Sequence, residues 1–337
     1  MTHELVFPLS TMAVVFFAII PLATVCCNGA LAWRRRRATA WADVGSPTTF
    51  LLLLAPTVVP LAWLVSAAVH QVESYPSLAA CLYDHVGAQS CLDAPLLLAS
   101  LAGVIVLASL ERARRSGPGL DAPPLPQEHP LVQRVWSLRA RHGALRDLRV
   151  QVTSECAIPV FTTGWFRPRV VMDACFVHAS DDAMLLAALL HERAHLRHRD
   201  NLRRFVAACS LSLNPLGGLL LREYAHWRQA LEARCDQEAV AHGARPLALA
   251  QSIVQAAKFE CGESSSCRAV GLACQDMSAL RLRLALLMEG GEGPRADGGY
   301  VAFGLLLAWA TLGPHLLRRP GVLEAWHQGV ERLFLSM

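Results

Sequence analysis

The sequence has 337 residues, is 53% hydrophobic and only 17% charged, and carries a net charge of +4. That balance is too apolar for an ordinary soluble domain of this size, and the length leaves room for two structural units. The basic residues are arginines set beside apolar runs, with Lys258 the only lysine, a pattern that speaks against a nucleic-acid-binding face.

Phe7 to Trp33 is apolar and long enough to span a bilayer, which needs about 20 residues. No Lys or Arg precedes it, so it lacks the basic start of a secretory signal. Arg34 to Arg37 follow at once and place this end in the cytosol, with the N-terminus outside. Thr48 to His70 is the expected second span, in which Pro56 and Pro60 are tolerated as membrane-helix prolines. The loop from Gln71 to Asp93 has no Lys or Arg and belongs outside; its Cys81 and Cys91 are either a disulfide or two free thiols. Ala94 to Leu110 is the expected third span, and Arg112, Arg114 and Arg115 return it to the cytosol.

Ser116 to Pro130 is rich in Pro and Gly and reads as a linker. Leu131 to Ala144 has helical spacing. Leu148 to Val152, Ala157 to Phe161 and Arg169 to Met172 are short strand candidates, the last two parted by Thr163, Gly164 and Pro168. The middle one, Ala157, Ile158, Pro159, Val160 and Phe161, is a candidate edge strand that could pair with an extended peptide, or simply cover the core.

The next helix holds the motif on which the function turns, His191-Glu192-Arg193-Ala194-His195. Ser180 is its expected N-cap, and Asp181 and Asp182 fill its first turn. Residues four apart share a helix face, so His191 and His195 can offer two imidazoles to one metal while Glu192 faces the water to be activated. Phe205 to Leu221 is apolar but interrupted by Asn214, Pro215, Gly217 and Gly218. A full crossing there would put the motif and the later helices on opposite membrane faces, so a hairpin turning at Asn214-Pro215 is expected, either buried in the domain or dipping into the lipid surface. A two-histidine site needs a third protein ligand. Glu232 is the choice and Glu223 the rival. Asp236, one turn after Glu232, can hold a ligand histidine through its other ring nitrogen. Cys235 reads as ligand or filler, and Glu232 and Asp236 also fit plain solvated helix charges. Cys261, Cys267 and Cys274 match no familiar metal spacing. Leu280 to Met288 is an Arg-Leu helix, Gly290 to Gly299 a second linker, and Tyr300 to Leu317 the fourth span. By parity Arg318 and Arg319 fall outside, against the charge rule. Pro320 to Met337 reads as an amphipathic or packed tail.

Several of these stretches together resemble membrane metallopeptidases of the BlaR/MecR type: the three opening spans; Ile158-Pro159-Val160, Gly164, and Arg167 to Val171; His191 to His195 followed by Arg197-His198-Arg199-Asp200; Asn214-Pro215; Glu232 to Asp236; and Arg283-Leu284 with Leu287. The resemblance implies a mainly α membrane protein with four transmembrane helices and a cytosolic α+β gluzincin-like zinc peptidase domain with a small β-sheet. It implies one zinc ion per chain on His191, His195 and Glu232, with Glu192 as catalytic base and Asp236 and Asp200 behind the ligands. The expected organisation is a three-span domain over 1–115, a linker over 116–130, the peptidase over 131–296, a fourth span over 299–317 and a tail over 318–337. The expected partners are the bilayer of a bacterial cytoplasmic membrane and a cytosolic protein substrate such as a repressor, with no direct contact to nucleic acid. His226, Tyr224 and Arg283 are candidate oxyanion donors. The family's antibiotic sensors carry a penicillin-binding domain with an S-x-x-K nucleophile after the fourth span. No S-x-x-K occurs here, so β-lactam sensing by that acylation is not expected. The alternatives are a quality-control protease of the heat-shock gluzincin type and a non-catalytic zinc-binding scaffold.

Overall fold

A computed structural model describes residues 15–38, 44–73, 103, 106–107, 123–154, 156, 158–164, 168–263 and 280–288. Most of the expected third span and of the outer loop with Cys81 and Cys91, the fourth span, the tail, Ala157, Cys267 and Cys274 lie outside these residues.

A π-helical turn, Val15–Ile19, leads into helix α1, Ile20–Arg37. Among the described residues this is the one helix long and apolar enough to cross a membrane. Phe17, Leu22, Val25 and Trp33 stand exposed along it, and the helix ends in its four arginines. Helix α2, Pro47–Glu73, contains Pro56 and Pro60 without being ended by them. Its start is tied to the end of α1: Arg34 donates to Ser46 Oγ at 2.8 Å, and Thr49 N donates to the same oxygen.

The second half begins with α3, Pro130–Arg141, and a three-stranded sheet: β1, Val150–Thr153; β2, Val160–Thr163; β3, Arg169–Asp173. The order is β1-β3-β2, with β1 parallel and β2 antiparallel to β3. Expected β2 lies about three residues too early. Asp173 explains why: its carboxylate accepts from Cys156 N at 3.0 Å, its amide donates to Pro159 O at 2.8 Å, and the pairing proper starts at Val160. The end of the expected linker also joins the sheet, since Leu125 N donates to Val152 O at 2.8 Å. That covers the outer edge of β1, whereas no strand pairs with the outer edge of β2 among the described residues.

After α4, Ala174–Ala179, comes α5, Asp182–His198. Its N-cap is Asp181, which accepts from Met184 N at 2.7 Å, and not the expected Ser180, which closes α4 instead. Leu185 and Leu189 of α5 are fully buried in a core with Val170, Met172, Phe176 and Leu249, and each such side chain contributes about 1.5–3 kcal/mol. Arg199 closes α5 in the left-handed conformation at φ 53° and starts α6, Asp200–Leu213. A 3-10 turn, Gly217–Leu220, leads into α7, Leu221–Ala241, followed by α8, Pro246–Glu263, and a helix α9 over 280–288. The α6–α7 hairpin leans on α1 and α2 through Leu31, Leu53, Leu211, Leu220, Trp227 and Leu231, and Phe50 stacks on Trp227 at 5.4 Å.

The hairpin turns at Asn214-Pro215 as expected. Asn214 Oδ1 accepts from Leu216 N at 2.9 Å, and Gly217 N donates to Asn214 O at 2.9 Å. A Cβ on Gly217 would fall 2.1 Å from Leu211 O, a backbone atom that cannot swing aside. Gly217→Ala is therefore expected to destabilise the protein by about 1–3 kcal/mol, read as a lowered thermal midpoint, while Gly218→Ala, with open space around it, leaves the midpoint in place.

Candidate metal centre

The helical period of α5 puts His191 and His195 on one face, and α7 brings Glu232 across to them. The two Nε2 atoms lie 3.2 Å apart, and Glu232 Oε2 lies 3.4 Å from the first and 3.6 Å from the second. One ligand atom from each of the three residues fits within a 4.8 Å cluster. Glu223, the rival third ligand, is elsewhere: it is buried and held by Arg35 through bonds of 3.1–3.3 Å. Glu232→Gln is accordingly expected to loosen the metal, while Glu223→Gln leaves metal stoichiometry unchanged; equilibrium dialysis of the two variants checks both.

Each imidazole is backed by a carboxylate on its far nitrogen. His195 Nδ1 bonds Asp200 Oδ2 at 2.9 Å. The left-handed turn at Arg199 folds Asp200 back onto that ring. His191 Nδ1 lies 2.8 Å from Asp236 Oδ1, within ion-pair distance but off the line of a good N–H···O bond. Three arginines then hold the carboxylates. Arg283 makes two 2.8 Å bonds to Asp236 and approaches Glu232 Oε2 at 3.4 Å. Arg204 donates to Glu232 Oε1. Arg234 donates to both oxygens of Asp200. Buried Cys235 has its Sγ 3.3 Å from His195 Nδ1 and 3.6 Å from Asp200 Oδ2, beside the ring's far nitrogen rather than at the Nε2 pair.

These contacts test whether the pocket suits a cation. With Nδ1–H of His195 given to Asp200, its Nε2 is left as an acceptor facing His191 Nε2 at 3.2 Å, an arrangement that a cation between them relieves. The charge balance agrees. Burial opposes the charged form of His191, yet the Asp236 and Glu232 carboxylates outweigh it and raise its pKa. Burial is likewise outweighed at His195 by Cys235, Glu232 and Asp200. Burial would raise Glu232, but the two histidines and Arg283 hold it well below the carboxylate range. Asp200 is held to about 2 against burial by His195 and Arg234. The pocket keeps its carboxylates ionised and favours positive charge where the two imidazoles meet.

Glu192 is not part of the ligand cluster. Its Oε2 accepts from Thr162 Oγ1 of β2 at 2.5 Å, and Asn201 Nδ2 donates to Thr162 O at 2.7 Å. The bond from Asp173 N to Pro159 O sets the alternation of the ladder, so Phe161 and Thr163 pair inward while Val160 and Thr162 turn their backbone groups to the outer edge. Asn201 fills one of those outward carbonyls. A small crevice lined by Thr162, Gly164, Pro168, His195, Arg199 and Asn201 opens beside this edge. Ile158 and Pro159 precede the strand, and Phe161 packs into a small cluster with Cys156 and Val171.

The three oxyanion candidates are not gathered at the ligand cluster as free donors. Arg283 is committed to Asp236. The Tyr224 hydroxyl faces Arg204 O at 3.5 Å, and its ring stacks on Trp227. His226 lies six residues before Glu232, about 240° around α7 at 100° per residue. Sequence reasoning missed Arg204, Thr162 and Asn201. Only the Arg203-Arg204 pair just before the apolar run offers a signal.

The family model described as BlaR1 peptidase M56 matches residues 14–287. No curated protein and no solved structure matches the chain.

Proposed function

This chain belongs to the BlaR1 peptidase M56 family, and on that premise we propose that it is a membrane-bound zinc metalloendopeptidase. The observation that carries the reading is the convergence of the His191 and His195 Nε2 atoms and the Glu232 carboxylate on one point, with Glu192 next to His191 on the same helix. His191, His195 and Glu232 would hold the zinc. When bound, the ion would polarise the scissile carbonyl and acidify water at neutral pH. Glu192, aimed by Thr162, takes the proton of the attacking water and returns it to the leaving amine. The outward groups of Val160 would align an extended peptide along β2.

The topology we propose has four spans, with the N-terminus outside and the peptidase in the cytosol of a bacterial membrane. It rests on the apolar α1 ending in Arg34 to Arg37. The substrate we propose is a cytosolic protein such as a transcriptional repressor, cleaved in regulatory proteolysis. The test is cleavage by the full chain in nanodiscs, with casein and a co-encoded repressor as substrates. Cleavage lost on chelation and restored by zinc supports the enzyme; tight zinc binding with no cleavage of either substrate would make it a scaffold.

A further inference from the structure

Between Arg204 and Arg222 the chain carries no charged side chain. That charge-free stretch is the tip of the α6–α7 hairpin. Its depth beside α1 is fixed by two polar contacts. At the base, Arg35 in the arginine band of α1 pairs with Glu223. At the tip, Asn214 Nδ2 donates to Thr24 Oγ1 at 2.8 Å. Thr24 lies about 16 Å along the helix from Arg35, at 1.5 Å per residue. A third contact agrees: Thr57 of α2 donates to Ser210 O at 3.1 Å. Glu223, at one end of the hairpin, therefore sits level with the arginines of α1, and the tip reaches far up the apolar part of that helix.

Among the described residues nothing covers the leucines of this tip. Leu216, Leu219 and Leu221 are 36–55% exposed, and Phe17 in the turn before α1 and Leu22 and Val25 on α1 are exposed as well. Of the polar side chains there, Asn214 and Ser212 are bonded inside the protein, while the buried Ser210 hydroxyl has no partner among the described residues. Asn214 is bonded on both sides, and the exposed Ser212 gives its hydroxyl to Cys209 O at 2.9 Å. Such internal bonding is what a lipid environment demands.

We infer that residues 205–221 form a re-entrant hairpin, which enters the bilayer from the side of the arginine band and meets acyl chains through Leu216, Leu219 and Leu221. The inference rests on the proposed reading of α1 as a membrane span. Its tip would reach about half-way into a hydrocarbon core of about 30 Å, so the peptidase half is anchored in the membrane by its own chain and not only by its spans.

The test uses the full chain in nanodiscs that contain a phosphatidylcholine with a diazirine at mid-acyl chain. After irradiation, labelled peptides are mapped by mass spectrometry. The expected result is labelling of 214–221 comparable to that of α1, with none at Leu247, an equally bare leucine on α8 that is 62% exposed. Label on α1 but not on 214–221 would overturn the hairpin and leave the span intact. Label on neither would overturn both. Label on Leu247 equal to that on 214–221 would show a response to any apolar surface and also overturn the inference.

Discussion

Replacing Glu192 with alanine is expected to lower peptide turnover by about 10²- to 10⁴-fold, the usual contribution of a positioned general base, and to leave metal content unchanged. The two effects separate because Glu192 lies outside the ligand cluster. Its carboxylate is spent on Thr162, while the ligand histidines take their support from Asp200 and Asp236. Alanine removes the base and its bond to Thr162 and leaves the Asp200 and Asp236 contacts of the histidines in place. Single-turnover cleavage of casein beside metal analysis of the same preparation makes the measurement. Retained turnover would remove Glu192 from the mechanism, and lost metal would make it a ligand or a support for one.

The largest effect on stability is expected at Arg283. Asp236 is 2% exposed, and its two oxygens are filled by the Arg283 guanidinium, with His191 beside one of them. Arg283→Leu keeps the stem and deletes the charge, so Asp236 is left buried without its guanidinium partner. Breaking a buried pair from one side costs about 3–5 kcal/mol. Glu232 loses a neighbour at 3.4 Å as well, so metal affinity is expected to fall by about 10- to 100-fold, as when support behind a ligand is removed. The thermal midpoint of the metal-free protein in detergent and the metal dissociation constant are the readouts. The double variant Arg283→Leu with Asp236→Leu is expected to lose less stability than the two single variants summed, because the unpaired charge is gone. Additive losses would show that the pair acts as packing alone.

How legible all this is in the sequence depends on distance along the chain. His191, Glu192 and His195 sit within two turns of one helix, so the helical period alone sets their relation. Asn214-Pro215 is a local turn signal, and the hairpin bends there. Glu232 and Asp236 share a face by spacing, but only the packing of α7 on α5 brings that face to the histidines. The choice between Glu232 and Glu223 was equally invisible, because it is settled by Arg35, far away in the first helix. Strand β2 was displaced because its start is set by Asp173, a cross-strand partner with no local signature. Thr162 and Asn201 lacked any cue, since their bonds form only once β2 lies along α5.

Helix α7 also acts as a ruler. Glu223 is pinned to the arginine band of α1, and Glu232 stands on the same unbroken helix. At 1.5 Å per residue the separation is about 14 Å. If the arginine band marks the lipid headgroups, as proposed, every bond that this site cuts is cut at nearly one height above the membrane. A substrate tethered in that membrane must keep a stem of about four extended residues, at roughly 3.3–3.6 Å each, between the lipid surface and its scissile bond. A shorter stem cannot reach the site, so stem length would select among tethered substrates before any side chain is read.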